Sequence, residues 1–101
     1  MKRPYKTRLI NNGVQHLYFF PNNYGASVVM HEFSYGSKQG LWELAVLQLN
    51  PDEEETFSIC YDTPITEDVL GHLTQDDVED VLQQIKALPE YTGEPHFDDI
   101  I

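Results

Sequence analysis

Seven of the nine residues in Leu41-Trp42-Glu43-Leu44-Ala45-Val46-Leu47-Gln48-Leu49 are apolar, and this run constrains the fold more than any other stretch. Strand side chains alternate between two faces. In an extended chain Leu41, Ala45, Leu47 and Leu49 would share one side, and Trp42, Leu44 and Val46 the other. Apolar residues on both sides suit a central strand covered at least in part on both faces. Leu and Ala also favour helices, but the run is short and is bounded by Gly40 and by Asn50-Pro51-Asp52, which argues for a strand.

Further candidate strands flank it. Val14 to Phe20 alternates His16, Tyr18 and Phe20 with Gln15, Leu17 and Phe19, after an Asn11-Asn12-Gly13 turn. Ala26 to Phe33 follows the turn cluster Pro21-Asn22-Asn23-Tyr24-Gly25, and a loop with two glycines, Gly36 and Gly40, leads into the central run. Thr56 to Tyr61 has the cleanest alternation. Phe57, Ile59 and Tyr61 are expected on the core, with Cys60 on the second face. Such short connections imply hairpins, since parallel pairs need long crossovers.

The pattern changes after Pro64. Thr66 can cap a short helix with Glu67 and Asp68 in its first turn and Val69, Leu70 and Leu73 as its apolar edge, although Gly71 weakens it. Thr74-Gln75-Asp76-Asp77 has capping-box spacing. Val78, Val81, Leu82, Ile85 and Leu88 then form one helical stripe, and Pro89 ends it. The expected fold is α+β: an antiparallel meander of four to five strands, followed by one short and one longer helix packed on one sheet face. Residues 1–10 form a basic N-terminal arm or edge strand. Residues 11–89 form a single domain, and residues 90–101 an acidic tail that is either disordered or docked.

Charge narrows the function classes. Seventeen acidic and six basic residues give a net charge of −11, and Lys38 and Lys86 are the only cations from residue 9 onward. Direct nucleic-acid binding needs clustered Lys and Arg and is not expected. No run approaches the roughly 20 apolar residues of a membrane span. The N-terminus lacks the apolar stretch of a signal peptide, so neither a membrane nor secretion is expected. The single cysteine excludes an internal disulfide.

No metal motif joins His16, His31, His72 and His96, and no nucleophile motif surrounds Cys60, so neither a metal, a cofactor nor an enzymatic activity is expected. Three surfaces remain as candidate partner-binding sites. The first is an acidic set on the helices, Glu67, Asp68, Asp76, Asp77, Glu79 and Asp80, which suits a basic partner or could imitate DNA phosphates. The second is a set of aromatics including Tyr24 and Tyr35, which suits an interface or self-association. The third is Phe97 in the tail.

The stretches Tyr24-Gly25-Ala26-Ser27-Val28-Val29, Gly40-Leu41-Trp42-Glu43-Leu44-Ala45-Val46-Leu47 and Tyr61-Asp62-Thr63-Pro64-Ile65-Thr66-Glu67-Asp68-Val69-Leu70-Gly71-His72-Leu73 resemble small proteins of tailed bacteriophages and prophages. The resemblance spans about residues 15–88. It brings no activity or catalytic residues with it. It implies a protein of the host cytoplasm that acts by binding a host protein and modulating or inhibiting it. DNA mimicry and self-association as a structural module are the alternatives.

Overall fold

The computed structural model describes residues 5–49, 56–61, 63–66 and 69–91. Among these residues a six-stranded antiparallel sheet carries one α-helix. Its strands are β1 (Lys6–Ile10), β2 (Gly13–Phe19), β3 (Tyr24–Met30), β4 (Trp42–Leu49), β5 (Phe57–Ile59) and β6 (Leu70–Leu73), and the helix is α1 (Gln75–Lys86). Strands β1 to β5 lie in chain order, and β6 pairs with β4.

Local chemistry sets the turns. Asn11 and Asn12, at φ 46° and 60°, make the two-residue turn between β1 and β2. Both residues need positive φ there, which Asn tolerates better than most residues. A single 3-10 turn, Ser37–Gln39, links β3 to β4 between Gly36 and Gly40, both left-handed. The run expected to be the central strand is β4, bonded to β3 on one side and to both β5 and β6 on the other.

That shared edge corrects the expected short helix, because part of it, Leu70–Leu73, is a strand. Strand β5 covers only Leu47 to Leu49 of β4, and β6 pairs with the opposite end, at Trp42 and Leu44. The spacing of Val69, Leu70 and Leu73 fits a helical edge locally, but unpaired β4 backbone offers ladder hydrogen bonds, and Gly71 has little helical preference. His72, at φ 56°, sits where the register shifts, as the extra residue of a bulge.

Helix α1 covers one face of the sheet. Val78, Val81, Leu82 and Ile85 pack with Tyr18, Ala26, Val28, Leu44, Val46 and Cys60, and Leu88 joins from beyond the helix end. Leu44, Val46 and Ile85 are fully enclosed. Burying a side chain of this size contributes about 1.5–3 kcal/mol. A second expectation is reversed here: Cys60 lies in this core at 1% exposure, while Ile59 and Tyr61 are exposed. Ile59 opposite Leu47 and Phe57 opposite Leu49 put those side chains on the far face. Alternation shows which residues share a face; the helix decides which face is covered.

The C-terminal end of α1 is tied down by the β2–β3 turn. The Asn22 side-chain amide donates to the carbonyls of Ile85 (2.8 Å), Lys86 (3.2 Å) and Leu88 (3.1 Å). These include final-turn carbonyls, which lack partners within a helix.

Candidate functional site

The acidic candidates on α1 divide by what their carboxylates do. Thr74 caps the helix: the Asp77 backbone N–H donates to Thr74 Oγ1 (3.1 Å), and the Thr74 N–H donates to Asp77 Oδ2 (3.0 Å). This is the reciprocal box that the spacing predicts. The Thr74 backbone bond, aided by the Thr74 hydroxyl, holds the Asp77 carboxyl below its ordinary range. A depressed folded-state value means that this contribution to stability is present above the usual carboxylate range and is lost as pH falls through the lowered value. Asp77 therefore has a structural task. Asp76 and Asp80 are exposed, four residues apart on the outward side of α1. Glu79 is half-buried, on the side toward Tyr18.

Tyr18 is 2% exposed, and among the described residues its hydroxyl has no hydrogen-bond partner. Burial, and secondarily the Glu79 carboxylate, raise its pKa. Removing an unsatisfied buried hydroxyl while keeping the ring relieves a desolvation cost. Tyr18→Phe is therefore expected to leave stability unchanged or raise it by about 1 kcal/mol in urea denaturation. A loss of more than about 1 kcal/mol would show that the hydroxyl is bonded in solution.

The aromatic candidates separate too. Tyr24 is 3% exposed, bounded by α1 and by Tyr91 at 5.5 Å between ring centroids, so it is a core residue with no surface to offer a partner. Its place at the start of β3 points it to the helix side. Tyr35 is 62% exposed and lies against the backbone of Gly71. Glu67, Asp68 and Phe97 lie outside the described residues, as does the 92–101 part of the expected tail.

The described histidines, His16, His31 and His72, are dispersed. His16 Nδ1 is 2.9 Å from Thr7 Oγ1, and its ring lies 5.4 Å from that of Trp42. His31 Nδ1 accepts the Phe33 N–H at 3.1 Å. Among the described residues no three His, Cys, Asp or Glu side chains group so that they could hold a metal ion. No helix among them is long and apolar enough to cross a membrane.

Sequence reading missed the second face of the sheet as a surface. Among the described residues no helix or strand lies over it. Leu17, Phe19, Leu47, Phe57 and Ile59 surround a shallow depression of about 360 Å³ floored by Ser27 and Ala45. Phe19 stacks on Phe57 with centroids 4.1 Å apart, reaching across Gly25. A polar chain crosses the same face: Arg8 Nε donates to Gln15 Oε1 (2.9 Å), and Gln15 Nε2 donates to Ser27 Oγ (2.8 Å). Tyr5, 75% exposed, meets Phe19 edge to face at its rim. The sequence signal was present in the second alternating set, Leu17, Phe19, Leu47, Phe57 and Ile59, which is as apolar as the set that forms the core.

Compared with known protein families, curated proteins and solved structures, the chain matches none.

Proposed function

We propose that the protein acts by non-enzymatic binding to another protein, and that the outward face of α1 is its contact surface for a basic partner. The supporting observation is that charge is unevenly divided across the sheet, although Glu43 shares the face opposite the helix. Asp76 and Asp80 stand exposed on the helix side. The β1 cations Lys6 and Arg8 share the opposite face with Leu17 and Gln15. Charge spread only for solubility has no need of this polarity, whereas a directional field orients an approaching basic surface toward the helix. The resemblance to phage proteins supports a host protein as that partner, which binding would modulate or inhibit.

The test is capture from a bacterial lysate at low and high salt, with the double variant Asp76→Asn/Asp80→Asn as comparison. Asp77 is left in place because its loss would fray the helix. A captured protein should be released by salt and should bind the variant about tenfold more weakly. Equal binding of both forms would refute the assignment. In a stricter form of the reading, carboxylates stand in for DNA phosphates. Asp76 and Asp80 are about 6 Å apart along the helix axis. Competition between the captured protein's binding to this chain and to duplex DNA separates mimicry from other basic contacts.

A further inference from the structure

We propose that the open face of the sheet is a two-fold interface between two copies of this chain. The pairings Arg8 with Gln15, Gln15 with Val29, and Val29 with Glu43 place these four side chains in one row across the open face. With strands about 4.8 Å apart, Arg8 and Glu43 stand about 14 Å apart at the two ends of that row. Both are at least partly solvent-accessible.

A two-fold axis parallel to the strands, between β2 and β3, sets Arg8 of each copy over Glu43 of the other. Face-to-face sheets pack about 10 Å apart, a gap that an arginine and a glutamate together can span. An isologous interface needs this kind of self-complementarity, with opposite charges at positions exchanged by the symmetry.

Shape and polar satisfaction agree with the charge. The same axis brings Leu17 over the small Ser27 of the second copy, because those residues face each other across β2 and β3. The Arg8–Gln15–Ser27 chain is already hydrogen-bonded within one molecule, so burying it leaves few polar groups unpaired. Two chains of net charge −11 repel, and this face meets its twin with the α1 acids turned away on both outer sides. The resulting dimer presents two acidic helix faces outward. The proposal does not depend on what those faces bind.

The test is light scattering with size-exclusion chromatography on the full chain over a wide concentration range. The expected mass is twice the 11.7 kDa of one chain. Leu17 lies next to the axis and is only half-buried, so Leu17→Lys should keep the fold, read by circular dichroism, and weaken the dimer by about a hundredfold or more. Arg8→Glu should weaken it by about tenfold, and adding Glu43→Arg should restore it. Asp76→Asn/Asp80→Asn should leave the mass unchanged. A monomer at every concentration overturns the proposal, whatever else covers the face. So does a dimer indifferent to Leu17→Lys, or a charge swap that fails to restore association.

Discussion

Replacing Asn22 by alanine is expected to cost the fold about 2–3 kcal/mol, more than its place in a surface turn suggests. One amide group serves three carbonyls at and just beyond the end of α1. The same side chain turns its Oδ1 back to accept the Tyr24 N–H at 3.1 Å. Its backbone carbonyl accepts the Tyr91 N–H at 2.8 Å, and Asn23 Nδ2 donates to the Tyr91 carbonyl at 3.0 Å. The turn is thus a clasp between β2–β3 and the segment after the helix. Alanine removes every side-chain bond; the Ile85 carbonyl still accepts the Leu88 N–H at 3.1 Å, whereas those of Lys86 and Leu88 lose the amide donor. Asn22→Asp is the sharper variant. It keeps the size and the Oδ1 acceptor but sets a carboxylate against the negative end of the helix dipole, so it should cost at least as much. Urea denaturation at neutral pH measures both. An aspartate that is tolerated would mean that the amide is not what holds the helix end.

The second large effect is expected at Gly25. A Cβ there would overlap the Tyr18 carbonyl oxygen and lie 2.9 Å from Phe19 Cδ1. What the site needs is space for the Phe19 ring, which reaches over Gly25 to stack on Phe57. Gly25→Val should cost about 2–3 kcal/mol through displaced backbone and lost stacking. It should also alter the near-ultraviolet circular dichroism as the two rings part. Gly25→Ala should show the same change in smaller measure. An alanine variant with wild-type stability and spectrum would contradict the close approach.

Much of the fold was legible because local chemistry and tertiary demand agree. The Asn11-Asn12 turn, the alternation in β2 and β3, the β4 run and the Thr74 box each point to what forms. Where the two disagree, the reading fails in specific ways. Residues 70–73 carry a helical spacing, yet β6 forms there because a distant strand has unpaired backbone. Phe57, Ile59 and Tyr61 look like the core side of a strand, yet Cys60 takes that place because α1 packs on the other face. Tyr24 reads as an interface aromatic in composition and is a core residue in space. For the site, the acidic set was visible as charge. The division of labour within it was visible only in part: the Thr74 box spacing marks Asp77 for the cap, but only geometry turns Glu79 toward Tyr18. The Asn22 clasp joins residues more than sixty apart, and no local pattern announces it.

The central claim is that the helix side of this sheet meets the partner. Mapping backbone amide shifts by nuclear magnetic resonance, while the captured host protein is titrated into the labelled chain, tests it most directly. The account predicts that perturbations gather on the exposed residues of α1, at Asp76, Asp80, Gln83 and Gln84, and fade as salt is raised. Shifts gathered instead at Leu17, Phe19, Phe57 and Ile59, insensitive to salt, would contradict it and assign partner binding to the open face.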